Sequence, residues 1–177
     1  MIKPLSIDST CSILAEEDFQ FTKTFLQELE ARTVAVKISV LEKRPSELTI
    51  YTSEEQNLSR NMPILENLGF CIDSEVSYTA KFENLTLYAR RYYLDCDDAK
   101  RFKEARENVE KVIEGALIGK VKNTPLNALA YLANLGPEEI GLVRAIATYE
   151  DQLIPILSET MIGNTLVKNH ELASGSS

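Results

Sequence analysis

The chain has 177 residues, of which 44% are apolar and 26% are charged, a composition typical of a folded protein. Its net charge is −8 and its densest basic group is only Arg90-Arg91, which argues against nucleic acid and against an anionic membrane surface as partners. No apolar run approaches the ~20 residues of a membrane span, and the first residues resemble neither a signal peptide nor a transit peptide, so a cytoplasmic location is expected.

The N-terminal part of the chain combines one predicted helix with two predicted strands. Residues 12–32 carry apolar side chains near the helical period. Residues 33–41 change to strict alternation, with Val34, Val36, Ile38 and Val40 on one side, which predicts a strand with one apolar face. A shorter run at residues 48–51 predicts a second strand after a turn.

A short helix and a hairpin are predicted next. The helix spans residues 61–68, with Asn61 as its cap, Pro63 in its first turn and Gly69 in a left-handed cap at its C-terminal end. Residues 70–78 then alternate, with Phe70, Ile72, Val76 and Tyr78 as the apolar set. A polar turn at 81–84 leads into residues 85–94, and the two runs together predict an antiparallel hairpin with one buried face.

After Asp97 the pattern becomes amphipathic and helical, with a cap at Asp97 or Asp98 and an end at Gly119. An apolar stripe recurs at helical spacing, consisting of Phe102, Ala105, Val109, Val112, Ile113, Ala116 and Leu117. Because an antiparallel sheet must bury its apolar face, the face that carries Val34, Val36, Ile38 and Val40 is expected to meet this stripe or the short helix at Leu65.

Further helices are predicted downstream of this stripe. A cap and a proline at Thr124-Pro125 begin one helix, and the corner Leu135-Gly136-Pro137 separates it from the next. Pro155 is expected to break or kink that helix, and a short helix is predicted at residues 158–167. Residues 173–177 have the composition of a linker.

The sequence contains none of the common catalytic or cofactor motifs. There is no glycine-rich dinucleotide loop, no phosphate loop and no nucleophile elbow. His170 is the single histidine, and Cys11, Cys71 and Cys96 have no metal-ligand spacing. We therefore predict no catalytic residue, no cofactor-binding residue and no metal site in this chain.

One cluster of side chains suggests an interface. Alternation along the strand at 85–94 places Tyr88, Arg90 and Tyr92 on one face and Arg91 and Tyr93 on the other. Arginine and tyrosine are favoured in protein–protein contacts. The alternative is an ordinary sheet whose arginines extend over tyrosine rings to reach water.

Several runs resemble the large NAD-specific glutamate dehydrogenases. The run VAVKI at residues 34–38 and the run MPILENLGF at residues 62–70 match a strand and a helix turn of that family. A second block agrees as well, with LNAL at 126–129, Leu135-Gly136 and VRAIATY at 143–149. The resemblance extends over residues 32–173 and depends on the order and spacing of these runs.

The resemblance implies an α+β fold, with an ACT-like (ferredoxin-like) antiparallel sheet and helices followed by a helical extension. The expected divisions are an N-terminal helical segment, an ACT-like module, a helical extension and a flexible tail, at 1–32, 33–96, 97–170 and 171–177. Compared with the βαββαβ order of an ACT domain, the strand near Leu48 is additional and a final strand is missing.

The resemblance also implies a function. Full-length members of the family oxidatively deaminate L-glutamate to 2-oxoglutarate and bind NAD in a catalytic domain that follows this region, so no cofactor is expected in this chain. A regulatory or structural role is expected, in which the remaining domains or subunits of an oligomeric enzyme contact Tyr88, Arg90 and Tyr92. The alternative is a stand-alone ACT-like module that senses amino acids or binds proteins. Because the loop at 52–61 lacks glycine, amino-acid binding is expected to be weak or absent.

Overall fold

The computed structural model describes residues 6–7, 33–40, 46–55, 57–82, 85–95, 98–153 and 159–169. The predicted helix at 12–32, Cys11, Cys96, Pro155, His170 and the tail at 171–177 lie outside the described residues. The strands are β1 Ser6–Ile7, β2 Val34–Ser39, β3 Ser46–Thr52, β4 Cys71–Phe82 and β5 Leu85–Asp95. The helices are α1 Leu58–Asn67, α2 Ala99–Leu117, α3 Leu129–Leu132, α4 Pro137–Leu153 and α5 Glu159–Lys168, with a 3₁₀ turn at Pro125–Ala128.

The strands form one antiparallel sheet in the order β1-β4-β5-β3-β2. In a βαββαβ fold, the last strand lies at the edge of the sheet beside the first. Here β2 occupies that edge position beside β3, although it precedes β3 in the chain, and the two-residue β1 lies at the other edge. From β2 to α2 the order is ββαββα, which is a circular permutation of the ACT arrangement. This permutation explains both departures from the ACT order: the apparently additional strand near Leu48 and the apparently missing final strand.

The alternation in β2 is confirmed, but β4 departs from the sequence prediction. Val34, Val36 and Ile38 lie in the core, and they pair with β3 in continuous register. In β4 the register shifts between Ile72 and Ser74, which is a β-bulge. A bulge moves every later residue to the opposite face. Val76, predicted to lie on the buried face with Ile72, is consequently 51% exposed.

Helix α1 begins earlier than predicted. Its cap is Asn57, whose side chain accepts a hydrogen bond from the backbone N–H of Ser59, so Asn61 is an interior position and not the cap. Pro63 lies inside the helix and not in its first turn. The prediction for the other end is confirmed, because Gly69 has a φ of +82° directly after the helix.

Helix α2 covers the apolar face of the sheet, as the stripe predicted. Asp98 caps it by accepting a hydrogen bond from the N–H of Arg101 at 2.9 Å, and Gly119 follows its end with a φ of +76°. The stripe and the strands belong to one hydrophobic core, which includes Val34, Val36, Ile38, Leu65, Phe102, Val109, Val112, Ile113 and Leu117.

The C-terminal helices continue this core. The helix predicted after Thr124 is in fact a 3₁₀ turn followed by the short α3, and Asn134 adopts a φ of 53° before the corner. At the corner, Glu139 Oε2 accepts a hydrogen bond from the backbone N–H of Gly136 at 2.7 Å, which caps α4. Helix α5 matches the short helix predicted at 158–167. Across the described residues, no helix has the length and apolar character needed to span a membrane.

Candidate functional site

A cavity of about 100 Å³ lies between α1 and the strands β3, β4 and β5. Its walls combine hydroxyl, amide and charged side chains with the backbone of the sheet. The lining residues include Thr52, Glu55, Asn61, Ser77, Thr79, Tyr88 and Arg90. The bulge in β4 explains part of this polar character, because it turns Ser77 and Thr79 to the face that carries Tyr88 and Arg90.

Asn61 is the most buried polar side chain of the cavity wall. Its Nδ2 donates a hydrogen bond to the hydroxyl of Tyr92 at 3.0 Å. Within the part of the chain that the structure describes, its Oδ1 accepts no hydrogen bond. A buried acceptor of this kind favours a polar occupant that carries a donor.

Tyr92 is held as a neutral phenol behind this wall. Burial raises the pKa of its hydroxyl above the ordinary value of 10.0, while the hydrogen bond from Asn61 and the charge of Arg90 act in the opposite direction. Desolvation dominates because a phenolate would be stranded in the core. Tyr92 therefore positions Asn61 and does not act as a base near neutral pH.

Arg90 supplies the positive charge of the cavity, whose lining also includes the acidic residue Glu55. Its Nη1 lies 3.1 Å from Glu75 Oε1 and 3.3 Å from Glu75 Oε2, with 21% of the arginine side chain and 35% of the glutamate side chain exposed. The two residues are on neighbouring strands and on the same face of the sheet. This ion pair holds the guanidinium in place beside the cavity.

The interface predicted from Tyr88, Arg90 and Tyr92 is corrected in part. The three residues do share a face, and the first two line the cavity. Tyr92, however, is fully buried under α1 and cannot itself contact a partner in this fold. Sequence reasoning missed the role of Asn61 because a short polar side chain in a helix carries no signal of burial. It missed Ser77 and Thr79 because the bulge that turns them to this face depends on how β4 pairs with β5.

On the opposite face of the sheet, Arg91 does not extend to water. It is buried, its Nε donates to Thr49 Oγ1 at 3.3 Å, and its Nη1 lies 3.4 Å from Glu47 Oε2. A buried arginine of this kind is stabilised by its partners and not by solvent. The picture of both arginines reaching over tyrosine rings to water is therefore wrong for Arg91.

The size and the lining of the cavity limit what it can hold. The described ranges contain no group of three or more histidine, cysteine, aspartate or glutamate side chains that could hold a metal ion. A volume of about 100 Å³ is also well below the ~300–1,000 Å³ of pockets that take drug-sized ligands or cofactors. The cavity suits a small polar molecule.

Two features of the fold define the class of protein. In the described part of the chain, an antiparallel sheet packs against α1 and α2 and is followed by further helices, which is the arrangement of an ACT-type α+β module with a helical extension. The family model described as glutamate dehydrogenase, ACT3 domain, matches residues 37–106. The family model described as glutamate dehydrogenase, helical motif 3, matches residues 121–175.

The two matches follow one another without overlap and together cover well over half of the chain. The chain belongs to the glutamate dehydrogenase family, of which it represents the ACT3 domain and helical motif 3. A search of curated proteins gave no significant match.

Proposed function

We propose that the chain is an accessory segment, regulatory or structural, of an NAD-specific glutamate dehydrogenase. In this proposal the other domains of a cytoplasmic, oligomeric enzyme bind NAD and convert L-glutamate to 2-oxoglutarate. The two family matches support it, since their descriptions name an ACT3 domain and a helical motif of glutamate dehydrogenase. The absence of dinucleotide and phosphate loops from the sequence supports it as well.

The observation that carries the proposal is a shared core between the two matched regions. Phe70 and Phe102 belong to the ACT3 match, and Tyr131 belongs to the helical-motif match. Their rings meet edge to face, with centroids separated by 5.4 Å, 5.6 Å and 5.7 Å. Such pairs favour one fixed arrangement of the packed elements. The sheet and the helices therefore act as one rigid unit, which suits a module that positions its neighbours.

The surface near Tyr88 and Arg90 is the proposed contact with a neighbouring domain or subunit. Both side chains are half-buried, and they flank the polar cavity beside α1. An arginine already held by Glu75 loses little further freedom on binding. Tyr92 contributes indirectly, because its hydroxyl fixes Asn61 in the cavity wall.

The test is an assay of the purified chain beside the full product of its native reading frame. The chain alone should not reduce NAD in the presence of glutamate, whereas the full product should. Turnover by the isolated chain that survives a contamination control would refute the proposal. A full product without glutamate-dependent NAD reduction would refute it too.

The alternative is a stand-alone amino-acid sensor, and the cavity beside Asn61 is the observation in its favour. Its small volume and the absence of glycine between β3 and α1 argue against tight binding of a free amino acid. Calorimetry with glutamate and the other common amino acids separates the two functions. We expect no measurable heat, and a micromolar dissociation constant would favour the sensor.

A further inference from the structure

The sheet has a second buried face, opposite to the face on which α1 and α2 pack. Strand pairing places Ala35 beside Tyr51 and Tyr51 beside Ala89, and Leu87 follows on the same side of β5. All four residues are buried. They nevertheless lie outside the hydrophobic core that the sheet shares with the described helices. A separate layer of atoms therefore covers this second face.

Tyr51 shows that the sheet does not cover this face by itself. A tyrosine side chain has ~150–250 Å² of surface to bury. Its direct neighbours across the strands are Ala35 and Ala89, whose methyl groups are too small to cover an aromatic ring. The diagonal neighbours Leu87 and Arg91 are themselves buried and cannot form the outer layer. Because Tyr51 is 0% exposed, other atoms must lie above its ring.

The covered area has the width of one helix. The buried residues of this face lie on β2, β3 and β5, and the outer two of these strands are ~10 Å apart. On the next strand, β4, Val76 lies beside Arg91 on the same face and is 51% exposed. An α-helix with its side chains is ~10–12 Å across. A single helix therefore fits the boundary of the buried area.

The covering layer belongs to this chain. The structure contains one chain, so the burial of Tyr51 and Leu87 comes from that chain's own residues. Outside the described ranges, the longest stretch is 8–32, and it leads directly into β2, where Ala35 begins the buried face. The next longest stretch, 170–177, ends in a run of linker composition.

The sequence of residues 12–32 suits this position. Its pattern predicts an amphipathic helix, which at 1.5 Å per residue would be ~31 Å long, enough to cover the face from end to end. The large apolar side chains fall on one side of that helix, and they are Leu14, Phe19, Phe21, Phe25, Leu26 and Leu29.

The charges agree with the same pairing. Residues 12–32 contain five acidic and two basic side chains, which gives a net charge of −3. The covered face carries two cationic side chains, the buried Arg91 and the half-buried Lys37. An acidic helix therefore complements this face.

We propose that residues 12–32 form an amphipathic helix that packs its apolar side on the sheet face defined by Ala35, Tyr51, Leu87 and Ala89. The helix gives the ACT-like module a third layer and excludes neighbouring domains from this face. Contacts with a neighbour then fall to the surface that carries Tyr88 and Arg90. The inference concerns this chain alone and does not depend on the proposed function.

The experiment reports on the two buried faces separately through the reactivity of introduced thiols in the full-length chain. Ala89→Cys places a thiol on the covered face, and Ala105→Cys places one in the core beneath α2. Both alanines are buried, and cysteine is tolerated there as a small hydrophobe. Each is made in a chain whose native cysteines are replaced, by Cys11→Ser, Cys71→Ser and Cys96→Ser. Both introduced thiols should be protected from an aromatic disulfide reagent.

The double variant Phe25→Ser/Leu29→Ser removes the centre of the apolar side of residues 12–32. It should make the thiol at position 89 react about tenfold faster or more, while the thiol at position 105 stays within about twofold of its rate without the double substitution. The matched control, Lys23→Ser/Gln27→Ser, has the same spacing and the same new side chains on the polar side of the helix. It should leave both rates within about twofold.

Three outcomes would overturn the inference. A thiol at position 89 that reacts rapidly without the double substitution means that the face is open. Equal protection at position 89 in both double variants means that another segment covers it. If Phe25→Ser/Leu29→Ser exposes the thiols at positions 89 and 105 together, the apolar side of residues 12–32 belongs to the main core and not to a separate layer.

Discussion

The carboxylate of Glu110 on α2 accepts a hydrogen bond from the backbone N–H of Ile38 on β2, at 2.8 Å. One turn further along α2, Glu114 Oε1 accepts the N–H of Val36 at 2.9 Å. In the described sheet β2 is an edge strand, whose outward N–H groups would otherwise be open to another chain. The two carboxylates satisfy these donors and block strand addition at this edge.

The first prediction concerns the pH dependence of stability. Burial raises the pKa of Glu110 above its ordinary value of 4.5, and the hydrogen bond from Ile38 and the charge of Arg106 only partly offset this. A carboxyl with a raised pKa in the folded state contributes stability at low pH, which is lost as pH rises through that pKa. Glu110→Gln keeps an acceptor for Ile38 but carries no charge, so the variant should gain stability relative to the parent from acid to neutral pH.

Urea unfolding between pH 4 and pH 8 measures this difference. Glu107→Gln is the control on the same helix. Lys111 donates a hydrogen bond to Glu107 and lowers the pKa of that carboxyl, so the stability of Glu107→Gln relative to the parent should fall as pH rises. If the unfolding free energies of Glu110→Gln and the parent differed by the same amount at every pH, the Glu110 carboxylate would not be desolvated.

The second prediction tests the stripe on α2. Val112 is fully buried among the strands and helices of the core. Val112→Asp places an unpaired charge there and should cost several kcal/mol of unfolding free energy, on the order of 3 or more. Lys103→Ala on the exposed side of the same helix should change stability by less than about 0.5 kcal/mol. Thermal and chemical melts compare the three chains, and a Val112→Asp melt within a degree or two of the parent would contradict the core assignment.

The third prediction concerns the close approach of Gly115 and Val121. A Cβ added at Gly115 would clash with the side chain of Val121, including its Cβ at 3.2 Å. Gly115→Ala should therefore destabilise the protein by about 1–3 kcal/mol, although alanine favours helices. Val121→Ala in the same chain should recover much of the loss. Unfolding of the parent, the two single variants and the double variant gives the coupling energy. If the two losses of unfolding free energy simply added, the clash would be ruled out.

Much of the fold could be predicted from local patterns. The alternation in β2, the cap at Asp98 and the left-handed glycines at 69 and 119 depend on neighbouring residues alone, and the structure contains all of them. The bulge near Ser74 could not be foreseen, because it depends on how β4 pairs with β5. The position of β2 beside β3 likewise depends on the whole sheet. Without it, the strand near Leu48 seemed additional to an ACT domain and the final strand seemed missing.

The candidate site was harder to predict than the fold. The alternating Tyr and Arg residues of the sequence predicted that Tyr88, Arg90 and Tyr92 share a face, and the structure places all three on one face. Their different burial depends on where α1 crosses the sheet, which no local pattern encodes. Asn61 looked like a helix cap because asparagine favours that position, yet its amide packs against Tyr92 inside the core.

The last prediction tests this buried pair. Asn61→Ala removes the side chain that donates to the hydroxyl of Tyr92 and leaves that hydroxyl buried beside a new hole, so it should cost about 1–3 kcal/mol of unfolding free energy. Tyr92→Phe leaves the Asn61 amide with no partner in the described region and should cost a similar amount. The double variant Asn61→Ala/Tyr92→Phe should be more stable than the sum of the two losses implies, since neither group is then left unsatisfied. Urea unfolding of all four chains gives the coupling energy, and a value near zero would mean that the hydrogen bond contributes nothing to the wall of the cavity.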